Sequence, residues 1–245
     1  DFVVMKSANP ASEELQSFKA NLGAGYWMVL VTGNVSDRIY NPMLVGVSYI
    51  KDDESGGTNL DGGILDATSN WELNATDGFA KSSEPSVSKK IVSLADPNAS
   101  YDPSANGVTD EKNGAAAAIG SKVDFKVDAT IPSYSKDYAE VVVSLTDTLQ
   151  QGLELDQDSV QVWVGNNKVD ESDGTFKITK SPAGFTIDFV SSYVLNNGNK
   201  AVSVVYKATV KDTAGLNFVA NENKVTFKYT NNPSVADDTK EVDDK

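Results

Sequence analysis

Between Pro85 and Pro233 the apolar residues fall on every second position of short runs, a spacing that only an extended strand converts into one buried face. Val141, Val143, Leu145 and Leu149 share one such phase, and Val225, Phe227 and Tyr229 share another. The pattern predicts strands at Val87–Leu94, Lys122–Ile131, Glu140–Leu145, Ser159–Val164, Thr175–Thr179, Gly184–Phe189, Ala201–Val210 and Lys224–Tyr229. Turn-forming residues separate them, so the expected fold class is all-β, with an immunoglobulin-like β-sandwich over residues 84–233.

Three polar residues break the pattern from inside. Lys89 lies in phase with Val87 and Ile91, Asp147 falls between Leu145 and Leu149, and Asn223 begins the phase of Val225. A lone charge or amide on a core face is costly, so an amine, an acid and an amide are expected to meet there. Asn221 shares the phase of Asn223. Asp124 or Asp128 would replace Asp147 if the 122–131 strand turned its other face inward, and Glu140 is a further candidate acid.

Composition removes most conventional chemistry. The chain has no histidine and no cysteine, which excludes the usual triads, thiolate zinc sites and disulfides. Its formal charge of -14 disfavours nucleic acid and anionic membranes as partners, and no apolar run reaches membrane-spanning length. The acidic loop from Asp52 to Asp61 lacks the ligand order of an EF-hand and reads as a solvated loop, so neither a metal nor a cofactor is expected. An enzyme is disfavoured, an acid-pair glycosidase remaining the exception.

The inward residues permit one reaction. A neutral lysine amine can attack a carboxamide carbon and expel ammonia, leaving a lysine–asparagine isopeptide bond. Burial lowers the pKa of an amine and raises that of an acid, so a protonated Asp147 could bond the Asn223 carbonyl and move a proton to the leaving nitrogen. A buried salt bridge beside a turn asparagine is the plainer reading and stays open at this stage.

Residues 1–83 read as a smaller, mainly-β domain whose earlier strands are expected upstream. A short helix is expected over Ser12–Ala20, with strands at Tyr26–Val31 and Pro42–Ile50. Asp96–Gly120 is an insertion rich in Asn, Pro, Gly and Ala, and the acidic tail, residues 234–245, reads as a linker to a further domain. Trp163, out of phase with Val162 and Val164, is expected either to be an exposed ligand platform or to pack against the insertion.

The runs from Pro85 to Ile91, Asp147 to Leu153, Val205 to Val210 and Asn223 to Pro233 resemble the isopeptide-forming domain of Gram-positive major pilins, the fimbrial subunits that sortases polymerise. That resemblance implies a cross-link between Lys89 and Asn223 assisted by an acid, which maps onto Asp147. Gly25–Val31 and Tyr40–Val45 are similar to the end of a pilin N-terminal domain. Such domains end in a motif that presents a polymerisation lysine after a tryptophan. Here Trp71 precedes Lys81 by ten residues, one more than the family's spacing, with Phe-Ala in place of Tyr-Pro. The resemblance implies a secreted, cell-wall-anchored pilus protein whose partners are neighbouring subunits. An adhesin on a similar sandwich, binding a host glycan or matrix protein, is the alternative.

Overall fold

The computed structural model describes residues 20, 22–31, 38–51, 71–73, 78, 82–94, 101–103, 107–135, 138–215, 221–232 and 235–245. The expected helix at Ser12–Ala20, the acidic loop and Lys81 lie outside them, apart from Ala20 itself. The chain divides into two units, residues 1–35 with 41–81, and residues 36–40 with 82–245. Its first strands are β1 (Gly25–Val29), β2 (Ile39–Tyr40), β3 (Met43–Val47), β4 (Tyr49–Lys51), β5 (Trp71–Leu73) and β6 (Ser82–Ser83).

In the first unit β1 pairs antiparallel with β3, and β4 with β5. Tyr26 and Met28 alternate along β1, and Leu44 lies opposite Met28 on β3; all three side chains are exposed. Strand β2 pairs instead with β6 in the second unit. Ile39 is fully buried among the sandwich core residues, which is why Ser36–Tyr40 belongs to that unit although the sequence boundary at 83/84 assigned it to the first.

The second unit continues with β7 (Val87–Leu94), β8 (Val108–Lys112), β9 (Lys122–Thr130), β10 (Val143–Leu149), β11 (Leu153–Val164), β12 (Asn167–Val169), β13 (Phe176–Ser181) and β14 (Gly184–Phe189). A short helix, α1 (Ser191–Asn196), precedes β15 (Ala201–Val210), β16 (Asn223–Thr230) and β17 (Thr239–Asp244). One sheet has the order β12-β11-β15-β9-β7-β8 and the other β13-β14-β10-β16-β17, with antiparallel pairing throughout.

Alternation decides which side chains fill the space between the sheets. Phe125, Val127 and Ala129 of β9 point inward with Val202, Val204, Tyr206 and Ala208 of β15, opposite Leu145 of β10, Ile187 of β14 and Phe227 of β16. Each fully buried aliphatic or aromatic side chain contributes about 1.5–3 kcal/mol of transfer free energy. The outer face of the six-stranded sheet carries charge instead, with Lys207 on Asp124 at 2.8 Å, Lys126 on Asp128 at 2.8 Å and Lys122 on Asp156 at 2.6 Å.

One expectation is corrected and one open choice is decided. The tail predicted as a linker forms β17, which pairs with Val225–Thr230 of β16 and is tied side to side by Lys224 and Thr226 donating to Asp243. The insertion supplies β8, and its Tyr101 packs edge-on against Trp163 with ring centroids 5.8 Å apart. Trp163 is only 9% exposed, so it packs against the insertion and is not a ligand platform.

Candidate functional site: a closed ring of four buried side chains

Lys89 and Tyr206 enter the core from the six-stranded sheet, and Asp147 and Asn223 enter it from the five-stranded one. Period-two alternation aims each of them inward, because their strand neighbours in the same phase are core residues. Backbone register fixes how they meet. Asp147 lies opposite Val225 across β10 and β16, and Leu149 lies opposite Asn223, so acid and amide project from adjoining strands two steps apart. On the other sheet Ile91 of β7 and Tyr206 of β15 both flank Phe125 of β9, which brings the β7 lysine toward the tyrosine.

The four side chains close a ring of hydrogen bonds. Lys89 Nζ donates to Asp147 Oδ2 at 2.5 Å and to Asn223 Oδ1. Asn223 Nδ2 donates to Tyr206 Oη at 2.7 Å, and Tyr206 Oη donates to Asp147 Oδ2 at 3.0 Å. The side chains of Lys89 and Asp147 are 2% and 0% exposed. Aromatic rings wall the amine, with Phe125 and Tyr206 centroids 5.6 and 5.7 Å from Nζ; these two rings stack, and Phe185 meets Tyr206 edge-on.

Main-chain features hold the strands in place around the ring. Gly184 sits opposite Thr148 with φ +139°, and a Cβ there would lie 2.0 Å from the Asp147 carbonyl oxygen. Only glycine tolerates both that conformation and that approach. On β7 the Lys89 N–H, at the stretch before β8 begins to pair, donates to the Asp244 carboxylate at 2.7 Å.

Burial dominates the electrostatics. Loss of solvent pushes the Lys89 ammonium down from 10.5 to about 8, against the opposing pull of the Asp147 charge and hydrogen bond and of the Asp244 charge. The same loss of solvent raises the Asp147 carboxyl above its usual 3.8, opposed by Lys89 and Tyr206. Both shifts favour moving one proton from amine to acid, which leaves a nucleophilic amine beside a carboxylic acid. Asp147 Oδ1 is buried with no hydrogen-bond partner, a position a neutral carboxyl bears at lower cost than an anion. Tyr206 is held well above 10.0, first by burial and then by the Asp147 charge, so it stays a neutral hydroxyl.

The structure therefore brings Lys89, Asp147 and Asn223 together. Asp124 and Asp128 lie on the outer face in ion pairs, Glu140 is exposed, and the Asn221 side-chain oxygen Oδ1 accepts from the Gly215 N–H. One detail differs from expectation. Asp147 makes no hydrogen bond to Asn223: the amide oxygen accepts from Lys89 Nζ, and the Tyr206 hydroxyl stands between Asp147 Oδ2 and Asn223 Nδ2. Sequence reasoning missed Tyr206 as a polar member of the cluster: in the phase of Val202, Val204 and Ala208 it reads as one more apolar ring.

No family model matches the chain. The trypsin-resistant surface T6 protein of Streptococcus pyogenes serotype M6 is 28% identical over 229 residues, which cover 91% of this chain and 39% of that protein. Among solved structures, the T6 backbone pilin of serotype M6 Streptococcus pyogenes aligns over 91% of the chain and 46% of its own, with TM-score 0.64 and 23% identity. The full-length major pilin SpaD of Corynebacterium diphtheriae aligns with TM-score 0.52 and 16% identity, covering 91% of this chain and 44% of its own. The chain thus spans less than half the length of each of these proteins.

Proposed function

We propose that this chain, a relative of Gram-positive backbone pilins, is a structural subunit of a sortase-assembled pilus on the cell surface, stapled by a self-made isopeptide bond between Lys89 and Asn223. The relatives are a trypsin-resistant surface protein and a backbone pilin, and the proposed reaction runs once, with the protein as its own product. The single observation that carries the reading is the placement of a desolvated amine directly on a carboxamide, with a buried acid on the amine's other side.

Folding supplies the rate, since it converts a bimolecular aminolysis into an intramolecular one. In the neutral pair, Lys89 Nζ attacks Asn223 Cγ, the carbonyl electrons move to Oδ1, and Asp147, once its own proton has gone toward the departing nitrogen, takes one back from Nζ. Collapse of the intermediate expels ammonia. The bond closes a loop between residues 134 positions apart, a constraint worth about 5 kcal/mol on the chain-entropy account. It replaces the disulfide that a chain without cysteine cannot make.

Intact mass of the denatured chain tests the reading. The expected mass is one ammonia below the sequence value, with a peptide map joining Lys89 to Asn223; full sequence mass overturns the proposal. Lys81, proposed as the residue joined to the next subunit, is tested separately: Lys81→Ala is expected to abolish oligomers in a sortase polymerisation assay.

A further inference from the structure

The leaving nitrogen of the proposed reaction does not touch the acid. Asn223 Nδ2 lies 2.7 Å from Tyr206 Oη, and Oη in turn lies 3.0 Å from Asp147 Oδ2. Ammonia departs only if Nδ2, which starts with two protons, acquires a third, and Nζ must give one up. Asp147 Oδ2 contacts the donor of that proton, Lys89 Nζ, but is separated from its destination by the tyrosine hydroxyl.

We propose that Tyr206 is a catalytic residue of the cross-linking reaction, carrying the proton from Asp147 to the departing nitrogen of Asn223. This rests on the isopeptide reading above. Before attack the amide nitrogen has no basic lone pair, because that pair is delocalised into the carbonyl; Nδ2 accordingly donates to Oη, and Oη donates to the acid. When the new bond makes Cγ tetrahedral, the lone pair localises on Nδ2, which becomes an acceptor. The two hydrogen bonds then reverse: the Asp147 O–H donates to Oη while the Tyr206 O–H passes to Nδ2. The Cγ–Nδ2 bond breaks, ammonia leaves, and the proton released by Nζ restores the Asp147 carboxyl. One N–C bond forms and one breaks, one proton travels from Nζ to Nδ2 through two oxygens, and Asp147 and Tyr206 end as they began.

The surroundings suit the hydroxyl to this role. Tyr206 is fully buried, its ring clamped by stacking on Phe125 and edge contact with Phe185, so Oη has one position. The charged or titratable side chains facing Lys89 are Asp147 from β10 and Tyr206 from β15; Asp244 of β17 bonds its main-chain N–H. None of them besides Tyr206 touches Nδ2, and no histidine exists in the chain to take the part.

Cell-free synthesis of the full 245-residue chain, with ammonia loss followed by intact mass after synthesis, provides the test. Tyr206→Phe retains the ring and deletes Oη, and is expected to slow ammonia loss about 100-fold or more; loss at the wild-type rate overturns the relay. Because a hydroxyl that merely orients the amide would also be missed, a fluorotyrosine installed at position 206 serves as the second variant. It keeps the hydrogen bonds and the fold but makes the phenol more acidic. A relay predicts a several-fold change in the rate of ammonia loss together with a solvent isotope effect; an unchanged rate overturns it. The two readings fail separately. If the wild-type chain never loses ammonia, the cross-link itself is wrong, whereas equal rates for wild type and both variants remove only Tyr206 from the chemistry.

Discussion

One lysine–aspartate pair lies on the outer face of the six-stranded sheet and another lies between the two sheets, and only the inner one has the desolvated geometry that the proposed reaction needs. Asp124 and Lys207 are register partners across β9 and β15, 2.8 Å apart on the outer face, with side chains 18% and 26% exposed. One residue further along each chain in opposite directions, Phe125 and Tyr206 are register partners on the inner face and wall the Lys89–Asp147 pair. The residue types are the same and the distances similar. What differs is water. On the outer face both side chains keep partial contact with solvent, which lowers the cost of the charged forms, and the pair contributes about 1 kcal/mol. On the inner face the charged forms are the costly ones, and the proton is driven toward the acid.

Removing the amide should separate the two pairs most sharply. Asn223→Ala is expected to retain full sequence mass and to unfold about 10–20 °C lower than wild type, the loss of a staple worth about 5 kcal/mol in a domain of this size; differential scanning calorimetry with intact mass reads both. Asp147→Ala comes next. With no group to take the Nζ proton, ammonia loss should slow by about 100-fold or more, followed by mass spectrometry over time. A normal rate would return the role to some other acid, although Asp124, Asp128 and Glu140 are all placed elsewhere.

The inner pair was legible in the sequence because alternation is a strict rule and a charge in the apolar phase violates it visibly. Lys89, Asp147 and Asn223 each showed as such a violation. Tyr206 did not, since a period-two pattern registers the ring and is silent about the hydroxyl. Strands Gly184–Phe189 and Ala201–Val210 were read to the residue, as each buries a full face. Strand β17 was not, because Val242 is its only large apolar side chain; the edge is held by backbone bonds to β16, which leave no mark in hydropathy. β8 escaped for the same reason, with four of its five residues exposed.

A smaller effect should appear with pH, once the bond is prevented. Burial lowers Lys89 from 10.5 to about 8 in the folded chain, and Asn223→Ala is expected to leave that burial in place, so between those values the unfolded state holds more protons. Lys89 therefore contributes stability that is full above 10.5 and is lost as pH falls through about 8. Chemical denaturation of Asn223→Ala should show stability rising across this window more steeply than in Asn223→Ala with Lys89→Met; equal slopes would mean the amine is not desolvated. The least effect is expected on the outer face. Lys207→Ala should change stability by under about 1 kcal/mol and leave ammonia loss untouched.

The rings of Phe125, Phe185 and Tyr206 have a consequence for how long the proposed link would last. An amide is undone by water, hydroxide or a protease, and each must reach its carbonyl carbon. With the Lys89 and Asp147 side chains 2% and 0% accessible, a bond formed there lies where none of them can approach while the domain stays folded. The ammonia needed for the reverse reaction would by then have escaped into bulk solvent. The enclosure that desolvates the amine would thus also make the proposed reaction a one-way step, and the lifetime of the link would be the lifetime of the fold around it.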